Sequence, residues 1–193
     1  MEYSHTLTEG TGYTLDEIDN EAVLIEAAQT NTAAFEPLYQ RYRVRVYRYL
    51  FFRLRREEDA ADLTQQVFLK ALSALPDYRI HKAPFAAWLF RIAYHIASDV
   101  YRRKKETISW EELPDAEQLL LEADPEVLLL QQERLAHLRK LLDRLDPAKR
   151  ELLALRFSAG LSSAEIALVV GKNQDAVKKQ LTRILHNLKE QLV

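Results

Sequence analysis

Cysteine is absent from the 193 residues, which excludes structural disulfides, thiolate zinc sites and a cysteine nucleophile and fits a reducing compartment. Only four Gly and six Pro punctuate the chain, leaving long stretches without a breaker, and no β-branched alternating run stands out. No segment approaches the run of about 18 apolar residues that a membrane helix needs. The amino terminus, MEYSHTLTEG, lacks the basic start and apolar centre of a secretory signal. These absences predict an all-α, cytoplasmic protein without membrane insertion.

Positive charge is missing from two whole blocks. Residues 1–35 and 106–130 contain no Lys or Arg and carry −7 and −8, whereas residues 36–105 and 131–193 carry +8 and +5. The formal net charge of −2 therefore conceals two basic modules separated by an acidic tether. Such a pair suits a long polyanion contacted at two places. Solvated helices rich in Lys and Arg would give the same count.

The breaks and periodicities predict two small helical domains joined by an acidic flexible linker. The expected layout is a mobile tail over 1–20, a helical domain over 21–105, the linker over 106–127 and a helix-turn-helix domain over 128–193. Apolar periodicity starts near Glu21 and resumes from Phe35 to Leu50. A further helix spans about Glu57–Leu75 and stops at Pro76, and another opens at Pro84 and runs to Lys105. Leucines at 128, 135, 138, 142 and 145 trace another stripe, after which Pro147 opens a helix ending at Gly160.

Plotted at about 100° per residue, EEDAADLTQQVFLKALSAL places Leu63, Val67, Phe68, Ala71, Leu72 and Leu75 on one half. Asp59, Asp62, Gln65, Gln66, Lys70 and Ser73 occupy the other. Leu69 falls among the polar residues: it is either a partner contact ringed by carboxylates and amides, or a single exposed leucine.

In PFAAWLFRIAYHIASDVYRRKK, the expected buried stripe is Phe85, Trp88, Leu89, Ile92, Ile96 and Val100. Phe90, Tyr94 and Tyr101 lie beside Arg91, Ser98 and Arg102. Rings next to guanidinium groups offer a face to an unstacked base and a cation to its phosphate. The same rings serve equally as half-buried core, and the RRKK run as a favourable end for the helix dipole.

Near the carboxy terminus, Ser162 and Glu165 form an S-x-x-E capping box, Gly171 supplies a turn and Asn173 a second cap. Helix, short glycine turn and longer helix make a helix-turn-helix pattern, with a plain helical hairpin as the alternative. The outward face of the second helix carries Gln174, Asp175, Lys178, Lys179, Thr182 and Arg183, able to meet phosphates and base edges.

Four blocks in order, AFEPLYQRY, EEDAADLTQQVFLKAL, PFAAWLFRIAYHIASDVYRRKK and RELLALRFSAGLSSAEIALVVGKNQDAVKKQLTRILHNL, resemble bacterial RNA polymerase sigma factors of the extracytoplasmic-function group over roughly residues 21–193. The resemblance implies a first domain that binds core RNA polymerase and opens the minus-ten element, and a second that binds the minus-thirty-five element. It places Asp59, Asp62, Leu63, Gln65, Gln66, Phe68 and Leu69 on a helix that docks on the clamp helices of the largest polymerase subunit. The flap of the second-largest subunit is a further implied contact, and an anti-sigma factor a further candidate partner.

It also implies that Asp77, Tyr78, Arg79, His81 and Lys82 belong to a loop that captures a flipped promoter base. Arg91, Tyr94, His95, Ser98, Arg102, Arg103 and Lys104 belong to the helix lying on minus-ten DNA. Lys172, Asn173, Gln174, Asp175, Lys178, Lys179, Thr182 and Arg183 form the recognition helix and its entrance. His95 departs from the Asn usual in the family, as does KNQDAVKKQLTRI from its usual recognition run.

No cofactor or metal is expected. A dimeric helix-turn-helix regulator would explain the last domain but leave the third and fourth helices without a role. The scattered histidines, with no H-E-x-x-H or phosphate-binding glycine loop, give no foothold for an enzyme.

Overall fold

A computed structural model describes residues 15–80, 82–104 and 136–192. The expected linker, His81, Lys105 and residues 1–14 lie outside them. Among the described residues all regular structure is helical: α1 (Leu15–Thr30), α2 (Glu36–Leu54), α3 (Glu57–Ala74), α4 (Phe85–Lys104), α5 (136–144), α6 (Pro147–Leu153), α7 (Ser163–Val170) and α8 (Gln174–Leu192). Helix α1 begins at Leu15, inside the stretch expected to be tail. The acids of LDEIDN hid it, since they mask apolar periodicity yet favour a helix amino terminus.

Local chemistry sets the other boundaries. Asn31 accepts from the Ala33 amide and starts a 3₁₀ turn, Thr32–Phe35, that leads into α2, with Pro37 in the first turn where a missing N–H costs nothing. Helix α2 ends on Arg55 in the left-handed region, at φ 59°. Pro76 converts the end of α3 into a 3₁₀ turn, Leu75–Asp77. The Pro84 carbonyl accepts from the Trp88 amide and so starts α4. Helix α6 loosens into a π-helical turn, Ala154–Ser158, before Gly160 at φ +68°.

The amino-terminal helices pack through the rows read from the sequence: Leu38, Tyr42, Val46 and Leu50 of α2, Leu63, Val67, Phe68 and Ala71 of α3, and Phe85, Leu89 and Ile96 of α4. Aromatic rings knit this core, with Phe68 edge-on to Tyr39 at 4.8 Å and Tyr78 against Trp88 at 4.9 Å and Phe85 at 5.6 Å. In the carboxy-terminal unit, Leu152, Leu155, Leu161, Ile166, Val177, Leu181 and Ile184 form the corresponding centre.

The two units pack directly on each other, a contact that the picture of tethered modules lacked. Helix α7 lies against α4, and the π-helical turn lies against α2. Three residues of α2 one turn apart reach across. The Arg45 Nε donates to the Ala159 carbonyl (2.8 Å), the Tyr49 hydroxyl to Glu151 Oε1 (2.7 Å), and Arg53 pairs with the other Glu151 oxygen. At the end of α2, Arg55 pairs with Asp143 of α5 at 3.0 Å.

Phe90 belongs to this joint. Open on the sequence between a base platform beside Arg91 and a core ring, it is fully buried, edge-on to Tyr49 at 5.7 Å, with the Arg45 guanidinium at the same distance from its ring. Helix α4 has neighbours in α2, α3 and α7, so a second row, Ala86, Phe90, Ala93 and Ala97, is buried besides the first.

Candidate nucleic-acid and polymerase interfaces

Helix α8 is held at the surface by caps at both sides of its turn. The Ser162 hydroxyl accepts from the Glu165 amide, and the Glu165 carboxylate accepts from the Ser162 amide at 2.8 Å, completing the capping box of α7. Gly171, at φ +67°, ends α7 in a conformation that L side chains rarely adopt. Asn173 Oδ1 then accepts from the Asp175 amide at 2.8 Å and opens α8.

Val177, Leu181, Ile184 and Leu188 turn inward, leaving Asp175, Lys178, Lys179, Thr182 and Arg183 around a shallow open groove. Lys172, Asn173 and Gln174 are exposed at its entrance. The Thr182 hydroxyl donates to the Lys178 carbonyl at 3.0 Å, so its lone pairs face outward as acceptors. Three cations beside an acceptor and an amide can bind phosphates and read base edges.

The outer face of α4 presents Arg91 and His95, both exposed, with Tyr94 and Ser98 half-buried beside them. The Tyr94 and His95 rings meet edge-on at 5.6 Å. Arg102, 80% exposed, pairs with Asp99 at 3.0 Å. Arg103 and Lys104 lie in the last turn of the helix. This stripe joins a ring, an imidazole and guanidinium groups, although Tyr94 offers less than a whole free face.

Between α3 and α4, Asp77, Arg79 and Lys82 are exposed, while Tyr78 is buried. Its hydroxyl donates to the Ala83 carbonyl at 2.7 Å, tying the two ends of the loop. Tyr78 thus shapes the loop from beneath. His81 lies outside the described residues.

Burial pushes the Tyr78 phenol up from 10.0 to about 12, with the charge of Glu21 adding to the effect. A raised phenol pKa means that the folded state prefers the neutral ring. Its contribution is therefore complete below the unfolded value near 10 and fades as pH rises through about 12. The stability advantage of the wild type over Tyr78→Phe, measured by urea denaturation, is expected to hold to about pH 10 and vanish by about pH 12.

On α3, Asp62, Gln65, Gln66 and Leu69 are exposed, Leu69 to 64%, and Asp59 is half-exposed near Arg56. Leu63 and Phe68, assigned to the same surface by resemblance, are core residues here, because they fall on the apolar half of the helix. They can support such a surface but not touch a partner. Sequence reasoning passed over Arg45, Arg53 and Glu151 and took Tyr49 only as part of the apolar row of α2; the i, i+4, i+8 spacing on α2 was the available signal. It also passed over Gln29, whose partners lie 46 and 49 residues away. Among the described residues no group of three His, Asp or Glu side chains is placed to hold a metal ion. None of the described helices is long and apolar enough to cross a membrane.

The profile of Sigma-70 region 2 matches residues 38–107, and that of Sigma-70 region 4 matches residues 135–188. The ECF RNA polymerase sigma factor BldN of Streptomyces coelicolor is 36% identical over 86% of this chain, which spans 63% of that protein's length. The ECF RNA polymerase sigma factor SigD of Mycobacterium tuberculosis is 33% identical, with 90% of this chain and 84% of that protein aligned. Among solved structures, CnrH in complex with the cytosolic domain of CnrY superposes with a TM-score of 0.64. It is 28% identical, covering 88% of this chain and 95% of CnrH. The sigma factor RpoE of Bartonella quintana, solved with the anti-sigma factor NepR, shares the fold at a TM-score of 0.56 and 18% identity, covering 93% of this chain and 98% of that one. With both of its halves matched in order and its length aligned to SigD, the chain belongs to the extracytoplasmic-function group of bacterial RNA polymerase sigma factors.

Proposed function

We propose that this chain acts in the cytoplasm as a binding subunit rather than a catalyst, joining core RNA polymerase and directing it to promoters with two separated elements. The outer face of α8 meets duplex DNA at the upstream element. The outer face of α4 and the loop before it hold the downstream element, where bases leave the stack. The exposed half of α3, with Leu69 set among Asp62, Gln65 and Gln66, docks on the polymerase clamp helices, and the carboxy-terminal unit meets the flap. The observation that carries the reading is the exposed cationic face of α8, capped at its start by Asn173, borne by a chain whose α3 keeps a separate polar face with an exposed leucine.

Unstacking a base costs a few kcal/mol, which the polymerase surface and phosphate contacts must offset together. The complexes of CnrH with CnrY and of RpoE with NepR support an anti-sigma factor as a further partner. A dimeric regulator is disfavoured, since region 2 has no role in it.

The test is run-off transcription from genomic fragments with core polymerase, with and without the chain. Discrete new transcripts are expected only with it, and their absence would refute the reading. On a promoter found this way, Lys178→Ala is expected to weaken holoenzyme binding most at low salt and to flatten the dependence of log affinity on log salt by about one unit. Filter binding from low to moderate salt measures this.

A further inference from the structure

Gln29 on α1 is half-buried and lies outside every surface described above, yet its amide nitrogen donates twice. Its Nε2 donates to the carbonyl of Leu75 at 2.9 Å and to that of Tyr78 at 2.8 Å. These are the first and last residues of the turn through Pro76, which the Tyr78 amide closes by donating to the same Leu75 carbonyl at 3.0 Å. One side chain thus takes both carbonyls of a turn that belongs to another part of the chain. Carbonyls at the end of a helix have no partner within it, and Gln29 adds a bond to each of these two.

Beyond that turn the loop is bracketed. Tyr78 is anchored by its ring against Phe85 and Trp88, and its hydroxyl holds Ala83. Arg79 Nη1 donates back to the Pro76 and Tyr78 carbonyls, at 3.0 and 3.2 Å. The path of the exposed residues between these anchors depends on where Tyr78 is placed, and Gln29 grips its backbone.

We propose that Gln29 is a positioning residue for base capture: by fixing the Leu75–Tyr78 turn from α1, it sets the loop that receives an unstacked promoter base. This rests on the reading of that loop given under Proposed function. Leucine at position 29 fills similar space without donors, so the turn loses its grip while the core of α1 is kept. Arginine retains N–H donors.

The test uses holoenzyme on fork-junction DNA built from a promoter that run-off transcription yields, with each non-template base of the downstream element made abasic in turn. Wild type is expected to lose about tenfold in affinity at a captured position, the scale of one stacked base. Gln29→Leu is expected to bind intact DNA about tenfold more weakly and to show no further loss at that position, while Gln29→Arg keeps the penalty. A general weakening of the fold would lower binding and leave the penalty in place, which overturns the proposal. Gln29→Glu, which keeps the shape of the side chain but not its donors, takes the place of the leucine variant if that one does not assemble with polymerase. No abasic penalty at any position in wild type would refute base capture itself, and this inference with it.

Discussion

Phe90→Ala is expected to lower the stability of the free protein by about 3–5 kcal/mol, the cost of emptying a fully buried phenylalanine site. For a chain of this size that corresponds to a fall of roughly 6–20 °C in melting temperature. The loss has two sources. The ring leaves its edge-on contact with Tyr49, and Arg45, which stands over both the Phe90 and Tyr42 rings while holding the Ala159 carbonyl, loses one of its supports. Thermal denaturation followed by far-ultraviolet circular dichroism measures the effect. An unchanged melting temperature together with weaker binding of single-stranded promoter DNA would favour the surface reading of Phe90 over the core one.

Glu151→Ala is the second large effect. Glu151 is a buried carboxylate of α6 that accepts from Tyr49 and pairs with Arg53, both on α2. Removing it strands a hydroxyl and a guanidinium. Breaking a buried pair costs about 3–5 kcal/mol, and the lower end applies because the Arg53 side chain retains 17% of its exposure and regains some water. Glu151→Gln keeps an acceptor for the Tyr49 hydroxyl and is expected to lose less, since the neutral amide abandons only the charge of Arg53.

Because these groups join the two units, part of the loss is expected as separation before unfolding. Small-angle scattering should show the radius of gyration of Glu151→Ala rising at denaturant concentrations where helical signal persists. Equal radii for the variant and wild type up to the unfolding midpoint would contradict this. Burial also pushes the Tyr49 phenol up from its ordinary value, so at neutral pH it stays a donor to Glu151.

The joint decides between the two readings that the rings of α4 allow. A helix with one partner buries one row, and of the expected row on α4 Phe85, Leu89 and Ile96 are buried while Trp88, Ile92 and Val100 are half-buried. Phe90 lies on the neighbouring face. There its ring beside Arg91 has the same local signature whether the face meets solvent, DNA or another helix, and only the arrival of the second unit decides it. Tyr78, placed by resemblance in the base-capturing loop, is buried for a similar reason: its depth depends on Phe85 and Trp88 closing around it.

What the amino-acid sequence determined by itself was local or periodic. The helical class, the capping box at Ser162, the turns at Pro76 and Gly171, the inward rows of α3 and α8 and the exposed Leu69 follow from backbone chemistry and helical period, which act over a few residues. What only the tertiary structure decided depends on groups far apart in the chain: the union of two like-charged basic units through Arg45, Tyr49, Arg53 and Glu151, the burial of Phe90, and the grip of Gln29 on a turn 46 residues away. A hydrogen bond or a covered face at that separation leaves at most a row on one helix, as on α2, and no sign of its partner, because it comes into being only when the helices meet.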